Sequence, residues 1–92
     1  MASRSGSILI VDDNRNILSA LEILLRPVFG EVTSLTSPEL IQSELRKADY
    51  NIVMLDMNFR AGVNTGNEGI FWLEKIREIN PDISVVMITA YG

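Results

Sequence analysis

The sequence predicts an α/β fold built on a parallel sheet, and three observations carry that expectation. Short unbroken apolar runs at Ile8 to Val11, Ile52 to Leu55 and Val85 to Ile88 have the composition of strands covered on both faces. Segments with apolar residues at helical spacing alternate with the strands, giving the order βαβαβαβ, which calls for right-handed crossovers. Two of the runs also end alike: ILIVDDN at 8–14 and IVMLDMN at 52–58 each pass from apolar side chains to carboxylate and asparagine.

Each element has its own signal. Residues 1–6 read as a flexible leader and 7–92 as the folded domain, whose first strand is Ser7 to Val11. A helix follows from about Asn14, with Ile17, Leu21, Leu24 and Val28 at helical spacing on one apolar face and capping side chains from Asp12 to Asn14. Pro27 cannot donate to the Ile23 carbonyl, so the helix is expected to end or kink there and Gly30 to close it. A short strand at Glu31 to Leu35 comes next. Ser37, Pro38 and Glu39 combine a hydroxyl cap, a proline in the first turn and an acid at the positive end of the dipole. They start a helix reaching Lys47, with Leu40, Ile41 and Leu45 inward.

The third strand is expected over Asn51 to Leu55, running up to Asp56. After it, FRAGVNTGNEG is eleven residues with three glycines and two asparagines, longer than the two to six residues usual for such a connection. Loops of that length are commonly functional, although these glycines and asparagines are most simply loop chemistry. A helix resumes near Glu68 with Ile70, Leu73 and Ile76 on one face and stops before Pro81. Phe71 and Trp72 read as packing residues. Ser84 to Thr89 is the fourth strand.

Composition removes many functions. With 92 residues and 47% hydrophobic content the chain is one domain with enough apolar material for a core. The absence of cysteine excludes disulfides and thiolate metal sites, and the absence of histidine excludes imidazole acid–base chemistry, Ser-His pairs and imidazole ligands. A net charge of -4 with eight scattered basic residues argues against nucleic-acid contact. No apolar run approaches the ~18 residues of a membrane span, and the leader has no signal-peptide character, so a cytoplasmic location is expected.

What remains is carboxylate and hydroxyl chemistry. In an open parallel sheet, ligands bind beyond the carboxyl ends of the strands where the winding reverses. A strand order of 2-1-3-4 makes the first and third strands neighbours and gathers Asp12, Asp13 and Asp56; the order 1-2-3-4 would separate them. At ~4 Å each pair of carboxylates repels by about 1 kcal/mol in water and roughly 4 at an effective dielectric of ~20, so the cluster wants a cation. An all-oxygen donor set suits Mg²⁺, and Mg²⁺ beside an aspartate is a constellation for phosphoryl transfer with Asp56 as nucleophile. Thr89 and Ala90 fall on the same rim. Singly, each of these residues has a plainer reading: Asp12 and Asp13 as helix caps, Asp56 as a turn residue, Thr89 as a strand former.

ILIVDDN, IVMLDMN and VVMITAYG, in that order and separation, resemble the receiver domain of two-component response regulators across residues 7 to 92. The resemblance implies a flavodoxin-like three-layer sandwich with sheet order 2-1-3-4. It implies Mg²⁺ held by Asp12, Asp13, Asp56 and the backbone carbonyl of Asn58, and Asp56 as phosphoacceptor. Thr89 then looks like the switch hydroxyl and the Ala90 amide like a phosphate donor. A sensor histidine kinase is the implied phosphoryl source. The family ordinarily continues with a helix, a strand bearing a phosphate-pairing lysine, and a last helix, none of which is in this sequence; Lys47 and Lys75 lie on helices and are not assigned that role. FRAGVNTGNEGIFWL resembles the variant found ahead of AAA+ activators of the alternative sigma factor, which implies AAA+ and DNA-binding effector domains in the parent protein.

Two other functions compete. A haloacid-dehalogenase-like phosphatase also uses an aspartate nucleophile and Mg²⁺, but wants a second aspartate where Asn58 stands. A receiver-like interaction module would not be phosphorylated at all. The fourth strand lies at an apolar sheet edge, and homodimerisation through that edge is expected.

Overall fold

The computed structural model describes residues 6–56 and 67–88. Its elements are β1 (Ser7–Val11), α1 (Arg15–Leu25), β2 (Glu31–Leu35), a 3-10 turn (Pro38–Leu40), α2 (Ile41–Lys47), β3 (Ile52–Asp56), α3 (Asn67–Ile79) and β4 (Ser84–Ile88). The four strands form one parallel sheet in the order β2-β1-β3-β4. This is the flavodoxin-like arrangement, with β1 and β3 adjacent at its centre.

Side chains of successive strand residues leave opposite faces, which splits the core in two. Leu9, Val11, Val53 and Leu55 pack with Ile41 of α2, Ile76 of α3, Tyr50 and Ile83 on one face. On the other, Ile8 and Ile10 meet Leu18 of α1, with Leu21, Leu25, Phe29, Val32, Ile52 and Met54 around them. Residues 8–11 of β1 are all buried, as an unbroken apolar run requires.

Polar groups tie the amino-terminal edge of the sheet. The Gly6 carbonyl accepts N–H groups from Gly30 (3.0 Å) and Glu31 (3.2 Å). The Ser7 N–H donates to Asn51 Oδ1 at 2.8 Å while the Asn51 N–H donates to the Ser7 carbonyl at 2.9 Å. Asn51 is thus a clamp on β1, and the third strand begins one residue later than its sequence suggests and includes Asp56. Gly30 likewise serves Gly6 and does not close α1, which ends at Leu25 with Arg26 as its cap; Pro27 falls in the turn beyond.

Several side-chain orientations differ from the sequence expectation. In α1 the residues facing the sheet are Leu18, Leu21 and Leu25, while Ile17, Leu24 and Val28 of the expected apolar stripe are exposed. The Glu22 side of α1 lies toward β2, where Ser34 Oγ donates to Glu22 Oε2. Leu40 is exposed because the chain from Pro38 to Leu40 winds as a 3-10 turn, whose three-residue repeat does not continue the α-helical face of Ile41 and Leu45. In α3, Ile76 is buried and Leu73 half-buried, but Ile70 is exposed. Trp72 packs against the core, whereas Phe71 is exposed, set edge-on to Trp72 at 4.9 Å with Lys75 Nζ 5.4 Å from its ring.

Candidate functional site

The register of β1 and β3 places Val11 beside Leu55, so the residues that follow, Asp12 and Asp56, emerge next to one another at the carboxyl rim. Asp12, Asp13 and Asp56 each offer a carboxylate oxygen within 4.8 Å of the other two. Asp12 (3% exposed) and Asp56 (7%) are the buried acids among the described residues, and Asp13 is exposed. A buried carboxylate is costly unless hydrogen-bonded or paired with a cation.

The backbone around Asp12 is held from both sides. Its N–H donates to the Leu35 carbonyl at 3.1 Å, continuing the β1–β2 ladder by one residue. Its Oδ1 accepts the Asn14 N–H at 2.9 Å, and the Asn14 side chain in turn accepts the N–H groups of Asn16 (2.9 Å) and Ile17 (3.3 Å) to cap α1. The sequence-level cap is therefore divided: Asn14 caps the helix and Asp12 braces the turn, leaving Asp13 to face solvent. Burial pushes the Asp12 carboxyl above its ordinary value; the Asn14 N–H opposes this and the charge of Asp13 adds to it.

An all-oxygen cluster with two buried members fits a hard divalent cation such as Mg²⁺. Its chemistry is that of charge neutralisation: a cation would relieve the repulsion among three carboxylates and draw in a further anionic oxygen. Ile88 is level with Asp56 in the β3–β4 register, so β4 reaches the same rim. Thr89, Ala90 and Asn58, and the connection over 57–66, lie outside the described residues. Neither helical lysine serves the cluster: Lys47 Nζ pairs with Glu44 at 3.4 Å and Lys75 stands over Phe71. The Leu35 carbonyl was not legible as part of the site, because its only link to Asp12 is the pairing of two strands.

With this geometry established, comparison with known proteins decides the family. A family model described as the response regulator receiver domain matches residues 8–92. The chain belongs to the response regulator receiver domain family. Among solved structures, this receiver domain is similar to the N-terminal signal receiver domain of a two-component system response regulator from Bacteroides fragilis, with 42% identity and a TM-score of 0.77. The similarity covers 90% of this chain and 64% of that one, so the receiver domain spans just under two thirds of that relative's length. It is also similar to the response regulator TrrA from Thermotoga maritima, solved in complex with Mg²⁺–BeF, at 26% identity and a TM-score of 0.75, covering 95% and 71% of the two chains. A third similar structure, described as adenylate cyclase from Rhodopirellula baltica, has 30% identity and a TM-score of 0.75 over 90% of this chain and 58% of that one. Among curated proteins none matches the chain.

Membership bears on one of the two rivals. Receiver domains as a family are phosphoacceptors rather than turnover enzymes, which favours the receiver reading over the dehalogenase-like phosphatase. Among the described residues no helix is long and apolar enough to cross a membrane.

Proposed function

We propose that Asp56 accepts a phosphoryl group from a phosphohistidine of a sensor histidine kinase. A carboxylate oxygen of Asp56 forms the new P–O bond as the P–N bond to the donor imidazole breaks, and the imidazole leaves with the electron pair and takes a proton. Asp12, Asp13, Asp56 and the Asn58 carbonyl would hold Mg²⁺, which supplies neutralisation of the phosphoryl oxygens. The Thr89 hydroxyl and Ala90 N–H would donate to the phosphoryl group once it is attached.

The observation that carries this reading is the meeting of three carboxylate oxygens within 4.8 Å at the rim shared by β1 and β3. The similar TrrA structure is described as a complex with Mg²⁺–BeF, which supports the same use of the site. Residues 7–92 form the receiver unit, with 1–6 as a leader. It acts in the cytoplasm, without itself touching nucleic acid, and controls a transcriptional output through AAA+ and DNA-binding effector domains of the parent protein. The new negative charge at the rim shifts a two-state equilibrium that those domains read. β4 is terminal in the sheet order among the described residues, and pairing along it is one route for homodimerisation.

The test uses the chain with Mg²⁺ and phosphoramidate, a small donor with the same P–N bond, followed by mass spectrometry. Stoichiometric, Mg²⁺-dependent phosphorylation that Asp56→Asn abolishes supports the reading. A folded chain that takes up no phosphoryl group supports the interaction module instead.

A further inference from the structure

Asn14 joins the end of β1 to the start of α1, and its polar groups are engaged on both sides. Its N–H donates to Asp12 Oδ1 at 2.9 Å, toward the acidic rim. Its side-chain oxygen accepts the N–H groups of Asn16 at 2.9 Å and Ile17 at 3.3 Å, toward the helix. Its carbonyl accepts the Leu18 N–H at 3.1 Å, and Leu18 is buried in the core. Two turns of the same kind, Asp12 to Asn14 and Asn14 to Asn16, therefore share one residue.

The backbone at that shared residue is extended, with φ -95 and ψ 108, between a strand and a helix. The cap is what fixes those torsions. With alanine at position 14 the N–H groups of residues 16 and 17 turn to water, the first turn frays, and the N–H of residue 14 is no longer aimed at Asp12. Asp12 is 3% exposed and belongs to a cluster whose carboxylate oxygens lie within 4.8 Å of one another. Without a fixed donor, repulsion from Asp13 and Asp56 turns its carboxylate out of the cluster, and a cation must bring it back at a cost in affinity.

We propose that Asn14 is a positioning residue for the cation site: the hydrogen bonds that cap α1 also aim the Asp12 carboxylate, so loading the site and closing the first turn of α1 are one coupled event. The proposal rests on the reading that Asp12, Asp13 and Asp56 hold Mg²⁺. Coupling of this kind is reciprocal, so Mg²⁺ tightens the start of α1 by the same factor by which the cap improves Mg²⁺ binding.

Titration of the whole chain with Mg²⁺ by isothermal calorimetry tests it. Asn14→Ala is expected to weaken Mg²⁺ binding about tenfold, the low end for residues that orient a metal ligand, because the backbone N–H itself remains. Asn14→Ser restores a capping oxygen without adding charge and is expected to recover binding to within about twofold of the wild type. Ala20→Gly weakens α1 at an exposed interior position without touching Asn14, and is expected to bind Mg²⁺ as the wild type does. In the wild type, Mg²⁺ is expected to slow amide exchange at Asn16 and Ile17 severalfold and to leave the Ala48 amide at the end of α2 unchanged. Equal Mg²⁺ affinity in Asn14→Ala and the wild type overturns this proposal alone, as does equal weakening in Asn14→Ala and Ala20→Gly. Should Asn14→Ala not fold, unchanged exchange at Asn16 and Ile17 in the Mg²⁺-loaded wild type overturns it. A wild type that binds no Mg²⁺ overturns the proposal together with the reading on which it rests.

Discussion

The phenol of Tyr50 donates to Glu44 Oε2 at 2.7 Å beneath α2, joining the entry to β3 with the helix above it. Tyr50 is buried, and Glu44 also pairs with Lys47 through its other oxygen at 3.4 Å. Burial raises the Tyr50 hydroxyl above its ordinary 10.0; a hydrogen bond with Thr33 opposes the rise and Glu44 adds to it. A hydroxyl raised in the folded state contributes stability that is complete below about pH 10 and is lost as pH climbs through the folded value. Thermal unfolding above pH 10 is therefore expected to show a steeper loss of stability in the wild type than in Tyr50→Phe. At neutral pH the same substitution costs about 1 kcal/mol through the lost hydrogen bond, measured by urea denaturation.

Asp12→Asn is expected to raise the melting temperature of the metal-free protein at neutral pH by a few degrees. Asparagine keeps an oxygen for the Asn14 N–H and removes a buried charge beside Asp13 and Asp56. The sign follows from protonation: a carboxyl raised in the folded state costs stability as pH rises above the unfolded 3.8, so the gain disappears below that pH. Calorimetry at neutral and acid pH checks it. With Mg²⁺ added, the wild type is expected to recover the difference and the variant to gain less.

Asn14→Ala removes the acceptor for two backbone N–H groups at the start of α1. The expected loss is about 1 kcal/mol in denaturant unfolding, with Asn14→Asp nearly neutral for stability because aspartate also caps well.

Gly6 adopts φ +93, a region that side chains resist, and a Cβ there would sit 3.2 Å from Asn51 Oδ1. Gly6→Ala is expected to destabilise by roughly 1 to 2 kcal/mol and to loosen the Ser7–Asn51 clamp. Faster amide exchange at Ser7, Gly30 and Glu31 than in the wild type is the corresponding readout.

The parts of this fold legible in the sequence are those set by short-range patterns. The runs from Ile8 to Val11 and Ile52 to Leu55 announce buried strands without help from the rest of the chain. Asp12, Asp13 and Asp56 could be gathered because strand order alone brings them together, and the observed order does so. The facing of α1 was not legible, since the Glu22–Ser34 contact that accompanies it joins two different elements. Leu40 turned outward for a local reason the helical period hides, the tighter winding after Pro38. Asn51 read as a strand residue because nothing nearby marks its side chain as the acceptor for Ser7.

β1 is paired on both sides and buried along residues 8–11, and the acidic rim grows directly from its end. A charge placed or removed there stands on a buried strand held by ladders on both sides, where backbone displacement is an expensive response. The rim therefore works like a terminal bolted to a foundation. Electrical changes at Asp12, Asp13 and Asp56 are relieved by rearranging whatever approaches from outside, and the floor beneath them stays fixed.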